Sequence, residues 1–206
     1  MALEIFDMAQ NTPEWLEARR GIPTCSEFST VLASGKGGGE SVTRKKYLYR
    51  LAGEIVTGEL AETYNNAFMD RGHVMEDEAR KAYAFMRDAE PTLIGFVRNG
   101  RKGGSPDSFI GESGILEIKT NQPTVLIEKL FRDGFPAEHK AQVQGQLWVC
   151  EREWADLICY WPRMPLLIRR AYRDETYIRT LADGVERFND ELDALVERIR
   201  RYEEAA

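Results

Sequence analysis

The sequence predicts an α/β domain in which a mixed β-sheet is flanked by helices. Segments with apolar residues at helical spacing alternate with short apolar runs typical of strands. The chain has 206 residues, of which 43% are hydrophobic and 30% charged, as is usual for a globular protein with its own core. We therefore expect residues 1–206 to form a single domain.

The first third of the chain is predicted to be mainly helical. A helix should begin at Thr12-Pro13, because a hydroxyl side chain caps a helix and proline suits its first position. The segment 34–39 is rich in glycine, which favours a flexible connection, and it lacks the Gly-Lys-Ser/Thr order of a phosphate-binding loop. Helices are predicted at residues 13–21, 24–33, 43–57 and 67–86.

The remainder mixes strands with helices and ends in a long amphipathic helix at about residues 175–204. Strands are predicted at 92–98, 108–110, 115–120, 155–161 and 166–172, and further helices at 123–132 and 138–150. The apolar stripe of the last helix consists of Ile178, Leu181, Val185, Phe188, Leu192, Leu195 and Ile199.

Two carboxylates and a lysine are the strongest chemical signal. Asp107 follows a Ser-Pro turn, and Glu117 and Lys119 point to one face of a strand while Ile118 points to the other. A turn at residues 112–114 should return the chain antiparallel and bring these charges together. Paired carboxylates suit Mg²⁺, and a nearby ammonium suits phosphodiester hydrolysis. A Glu-x-Lys pair is more often a solvated face, but its apolar strand neighbours favour a buried position.

Four segments, in this order, resemble the lambda exonuclease / YqaJ viral recombinase family of the PD-(D/E)xK nuclease superfamily. The similarity extends from Pro13 to about Pro165 and implies a restriction-endonuclease-like core. The matching segments are 15–27, 72–80, 105–119 (with Ser-Pro-Asp and Leu-Glu-Ile-Lys at its ends) and 141–149.

The resemblance implies a metal-dependent catalytic site. Asp107, Glu117 and the backbone carbonyl of Ile118 would bind two Mg²⁺ ions, for which Mn²⁺ could substitute. Lys119 would orient the attacking water or neutralise the developing charge. Its carboxylate neighbours oppose the low pKa that a general base needs.

Further residues take roles from the same resemblance. Glu76 matches a helix carboxylate beside the site, and Gln142 matches a glutamine that donates to a phosphate or holds the water. Arg19 and Ser26 match residues that bind the terminal 5′-phosphate, and Arg20 replaces Arg19 if the register shifts by one position.

One feature of the family is missing. Its model member has a further phosphate-binding arginine soon after the catalytic lysine, whereas residues 120–125 contain none. Arg132 or Lys129 could compensate. His73 lies one helical turn from Glu76. It could contact a metal or a phosphate there, although a histidine in such a position more commonly has a purely structural role.

The activity implied is a Mg²⁺-dependent 5′→3′ exonuclease that degrades one strand of linear duplex DNA and leaves a 3′ single strand. The family forms ring-shaped homotrimers, and the expected partner is a phage-type single-strand annealing protein. A net charge of −6 argues against a non-specific coating protein but is compatible with a basic channel inside an acidic ring.

Two alternatives remain at this stage. The same site could serve a structure-specific endonuclease or repair nuclease, or the fold could be a non-catalytic DNA-binding module. No apolar run approaches the length of a membrane span, and the three cysteines are too few for a four-cysteine iron–sulfur cluster. We expect a phage- or prophage-encoded protein of the bacterial cytoplasm.

Overall fold

A computed structural model describes residues 3–61 and 67–204, apart from the side chains at 36, 67–74 and 203–204. Within these limits two sheets are combined with seven α-helices. The strands are β1 (Leu3–Phe6), β2 (Pro91–Thr92), β3 (Phe96–Asn99), β4 (Gly103–Gly104), β5 (Ser108–Ile110), β6 (Gly114–Thr120), β7 (Trp154–Tyr160) and β8 (Leu167–Tyr172). The helices are α1 (Pro13–Arg19), α2 (Phe28–Val31), α3 (Val42–Thr57), α4 (Ala67–Arg87), α5 (Pro123–Leu130), α6 (Lys140–Val149) and α7 (Glu175–Glu204).

The larger sheet has the strand order β2-β5-β6-β7-β8. Only its β6–β7 pair is parallel, so the sheet is mixed, as predicted. Apolar side chains of α4 cover one face, where Ala79 and Tyr83 pack on Leu116 and Ile118. Helix α6 covers the other face. The hydrophobic core between α6 and the sheet extends to α3 and α7. Helices therefore flank the sheet on both faces.

The smaller sheet has the order β1-β3-β4 and corrects one prediction. Residues 92–98 form two strands in different sheets, β2 and β3, rather than one strand. The chain crosses at Gly95, where an added Cβ would lie 2.4 Å from the carbonyl oxygen of Met8. Only glycine allows this close passage. The short strands β1 and β4 were not predicted.

Helix ends follow their capping residues. The Thr12 hydroxyl accepts from the Trp15 amide at 3.3 Å, as predicted for a helix that begins with Pro13. Helix α3 ends at Gly58 in the left-handed region (φ 72°), which glycine adopts without strain. The segment 34–39 contains a 3₁₀ turn at Lys36–Gly38 instead of a continuous loop.

Helix α7 covers the large core along most of its length. Its buried residues include Phe188, whose ring stacks on Tyr47 of α3 at 5.4 Å. Leu195 and Ile199 are only partly buried, and Val196, which was not predicted, is buried instead. No helix in the described ranges combines the length and apolar character of a membrane span.

A buried carboxylate on β7 forms an ion pair with β8 and accepts a hydrogen bond from α4. Asp156 on β7 is fully buried and accepts a hydrogen bond from the Tyr83 hydroxyl at 2.7 Å. The Arg170 guanidinium on β8 donates to both Asp156 oxygens, at 2.8 and 2.7 Å. The pairing satisfies a charge that could not otherwise be buried.

Candidate active site

The β5–β6 hairpin brings the predicted carboxylates together. Ser108 pairs with Leu116 in the antiparallel register, so Asp107, one residue before β5, lies opposite Glu117 in the middle of β6. The Ile118 amide donates to the Asp107 carboxylate at 2.5 Å. Gly111, with φ 53°, forms part of the turn. The hairpin predicted from the sequence is confirmed.

Three donors converge on Glu117, which is only 3% exposed. Its Oε1 accepts from the Lys119 ammonium at 2.7 Å and from the Gln142 amide at 2.6 Å. Its Oε2 accepts from the Gln146 amide at 2.6 Å. The carboxylate is thus held from the strand and from helix α6.

Helix α6 supplies both amides because Gln142 and Gln146 are one turn apart on the same face. Gln142 was expected to donate to a phosphate or a water, whereas its described hydrogen bond is to Glu117. Gln146 was not predicted as a site residue, although its spacing from Gln142 is the signal that could have revealed it. Gln144 lies on another face and binds the Tyr172 carbonyl and the Asp174 amide, each at 2.8 Å.

Neighbouring charges control protonation in the site. Withdrawal from solvent and the charges of Glu117 and Glu76 raise the pKa of Asp107 well above its usual range. Burial disfavours the Lys119 ammonium, but the carboxylates of Glu117, Asp107 and Glu76 outweigh it and raise the lysine pKa. Lys119 therefore remains charged, which suits an electrostatic role and opposes a role as general base.

The donor set fits a hard divalent cation. Asp107 and Glu117 provide carboxylate oxygens, which Mg²⁺ prefers, and their shared negative charge would be relieved by a bound cation. Glu76 on α4 is near enough to influence the pKa of Asp107. Among the described residues, however, no three His, Cys, Asp or Glu side chains form a ready-made metal cluster. The side chain of His73 lies outside the described residues.

A cavity of about 230 Å³ is lined mainly by residues of α1, α3 and the segment between these helices. Arg19 and Ser26 both line it, as expected for partners of one phosphate. The Arg19 guanidinium stacks on the Trp15 ring at 3.8 Å and donates to the Thr24 hydroxyl at 3.5 Å. The hydroxyls of Thr24 and Ser26 are 3.3 Å apart, which places donors beside the arginine.

Arg50 is a second guanidinium in the same cavity, and it was not predicted. It lies 4.8 Å from the centre of the Tyr47 ring and 3.5 Å from a Glu27 oxygen. The alternatives from the sequence are elsewhere: Arg20 pairs with Glu17, Arg132 pairs with Glu128 and Lys129 pairs with Glu138. None of these three lines the cavity.

The cavity and the carboxylates share an anchor. The Trp15 indole donates to the Ser105 hydroxyl at 2.9 Å and to the Gly95 carbonyl at 3.1 Å. Ser105 precedes Asp107 by two residues, so the ring beneath Arg19 also holds the segment that carries the first carboxylate.

One known family matches most of this chain. Residues 14–153 match the YqaJ-like viral recombinase domain. The chain belongs to this family. The resemblance predicted from the sequence is therefore confirmed.

Solved structures show the same architecture. An alkaline exonuclease, LHK-Exo, from Laribacter hongkongensis is 28% identical, with a TM-score of 0.84 over 94% of this chain and 99% of that one. The structure of LHK-Exo in complex with dAMP has a TM-score of 0.85 at 28% identity, over 95% of this chain and 100% of that one. A phage-related exonuclease from Haemophilus somnus 129PT is 16% identical, with a TM-score of 0.67 over 86% and 96% of the two chains, and shares the fold. A search among curated proteins gave no match.

Proposed function

We propose that this chain is a Mg²⁺-dependent 5′→3′ exonuclease that degrades one strand of linear duplex DNA to 5′-mononucleotides. The observation that carries the proposal is the convergence of Asp107, Glu117 and Lys119. A hydrogen bond from Trp15 to Ser105 links their segment to the cavity that Arg19 and Ser26 line. Converging carboxylates would repel a DNA phosphate unless a cation binds between them, so they favour a nuclease over a binding module.

Each residue of the site has a chemical part in this proposal. Asp107, Glu117 and the Ile118 carbonyl would hold Mg²⁺, which supplies an activated water and stabilises the leaving oxygen when bound. Lys119 stays protonated and neutralises charge that develops on the scissile phosphate. Gln142 keeps Glu117 oriented, and Glu76 adds negative charge at the edge of the site.

The cavity favours an exonuclease over an endonuclease. The carboxylates of Glu27 and Glu54 in its wall already have partners in Arg50 and the Gly21 amide. The guanidiniums of Arg19 and Arg50, with neighbouring hydroxyls, suit a terminal phosphate dianion, which internal phosphodiesters do not carry. The similar protein from Laribacter hongkongensis is described as an alkaline exonuclease and was solved with dAMP, a deoxynucleoside monophosphate. By analogy, we propose linear DNA as substrate and a deoxynucleoside 5′-monophosphate as product.

The proposed setting follows the family resemblance. The chain would act as a ring-shaped homotrimer, with a single-strand annealing protein that receives the 3′ strand, in a bacterial cell that carries the phage or prophage. A ring would explain how an acidic chain remains on DNA, because topology rather than affinity retains it.

The test is digestion of linear duplex DNA that carries a 5′-phosphate on one strand and a different label at each 3′ end. We expect Mg²⁺-dependent release of mononucleotides from the phosphorylated strand, no attack on closed circular DNA, and loss of activity in Lys119→Ala. Cleavage of the circle would establish the endonuclease instead. DNA binding without cleavage by the wild-type protein would establish the non-catalytic module.

A further inference from the structure

Gln146 is an unusual residue to find against a carboxylate in a core. It is 1% exposed, and its amide nitrogen lies 2.6 Å from Glu117 Oε2. Its own carbonyl oxygen, Oε1, is buried and has no hydrogen-bond partner in the described part of the chain. Rotating the amide by a half turn would place Oε1 against the carboxylate, where two acceptors repel each other. The observed orientation therefore leaves Oε1 unpaired but keeps the hydrogen bond to Glu117.

The hydrogen bonds on Glu117 leave little room for another ligand. A carboxylate offers about four lone-pair positions, two on each oxygen. Lys119 and Gln142 occupy both positions on Oε1, and Gln146 occupies one on Oε2. The remaining position is therefore on Oε2, the oxygen that Gln146 holds.

We infer that Gln146 is a positioning residue for the cation site. By fixing Oε2, it presents the one lone pair of Glu117 that no donor in the described ranges occupies, and it keeps the carboxylate from turning. The inference rests on the proposed metal-dependent function, and it deepens that function by assigning the orientation of Glu117 to a residue outside the ligand set.

The test compares two buried glutamines of the same helix. Gln146→Met has a similar length but cannot donate, and Gln144→Met is the matched control because Gln144 is 4% exposed and bonds away from the site. Binding of Mg²⁺ to DNA-free protein is measured by titration calorimetry, and binding of Mn²⁺ by electron paramagnetic resonance. We expect the Kd to rise roughly tenfold or more in Gln146→Met, as for other partners of metal ligands, and to stay unchanged in Gln144→Met.

Several results would overturn the inference. An unchanged Kd in Gln146→Met would show that Gln146 does not position the ligand, and an equal rise in Gln144→Met would show a general packing effect. Wild-type protein that binds no divalent cation would refute the proposed metal-dependent function itself. That outcome is distinct from an unchanged Kd in Gln146→Met, which would refute only the role of Gln146. If Gln146→Met does not fold, Gln146→Ala is measured in the same way and judged by the same outcomes.

Discussion

Arg19 and Arg20 are adjacent but have opposite environments. The guanidinium of Arg19 stacks on Trp15 and lines the cavity, whereas that of Arg20 donates twice to Glu17 on the exposed surface. Burial lowers the pKa of Arg19, a cost that a bound phosphate would offset. The side chain that each arginine contacts therefore decides whether its guanidinium is available to a substrate: Arg20 is paired with a carboxylate, and among the described residues Arg19 is not.

Arg50 should contribute to recognition of the DNA end. Replacing Arg50 by Gln removes one guanidinium from the cavity, so the preference for 5′-phosphorylated over 5′-hydroxyl ends should fall. The loss of one charged hydrogen bond, about 1.5–3 kcal/mol, corresponds to a decrease of roughly tenfold or more in the ratio of initial rates. Arg20→Gln serves as the control, since Arg20 faces Glu17. An equal decrease in both variants would contradict a specific role for Arg50.

Only part of this residue-scale picture could be read from the sequence. Asp107, Glu117 and Lys119 lie on neighbouring strands, so alternation and one turn suffice to predict that they meet. Arg50 reaches the cavity from α3, far along the chain from Lys119, and no local pattern indicates that contact. Gln146 was missed because a polar helix residue is usually exposed, and only tertiary packing shows that it is buried.

At the scale of elements, the two sheets explain where prediction failed. The apolar run at 92–98 has the composition of one strand, but its two ends pair with different partners. The composition of a segment does not show which strand will pair with it. Gly95 was the available clue, since an isolated glycine in a strand pattern often marks a close backbone approach. The long helix α7 was predictable because its apolar spacing is sustained.

The buried Asp156 carboxylate should contribute to stability where α4 meets β7 and β8. Asp156→Ala leaves the buried Tyr83 hydroxyl and the Arg170 guanidinium without their acceptor. We expect a loss of roughly 1.5–3 kcal/mol in the free energy of unfolding, measured in urea, because the Tyr83 hydroxyl loses a charged acceptor while the Arg170 side chain, 38% exposed, can still be hydrated. Asp193→Ala is the control, because this carboxylate pairs with Arg101 on the surface and should cost no more than about 1 kcal/mol. Similar losses in the two variants would contradict the argument.

At the scale of the whole molecule, stability should depend on pH through His139. Burial and the charges of Lys129 and Lys119 lower the pKa of His139 to about 4 from 6.5. The Lys129 ammonium is 3.0 Å from its ring nitrogen. Between these two pKa values the unfolded chain binds a proton on His139 that the folded protein does not bind. The contribution of the neutral His139 to the free energy of unfolding is therefore complete above pH 6.5 and is lost as the pH falls toward 4.

The measurement is the free energy of unfolding against pH for wild type and His139→Gln. Carboxylates titrate in both proteins, so the difference between the curves isolates the histidine. We expect that difference to change by about 1–2 kcal/mol over this range, after allowance for solvent screening of the ring. Parallel curves would show that the histidine protonates equally well in the folded protein.

The three cysteines are all free and buried. Burial raises the pKa of each thiol, that of Cys150 to about 12. Alkylating reagents attack the thiolate, so the folded protein should react with them very slowly and each labelling event should await an opening of the chain. Cys25 and Cys150 lie in the main core and Cys159 in a separate cluster. The labelling rate of each cysteine would therefore report how often its own cluster opens. Different rates for Cys159 and for the other two cysteines would show that one cluster opens before the whole protein unfolds.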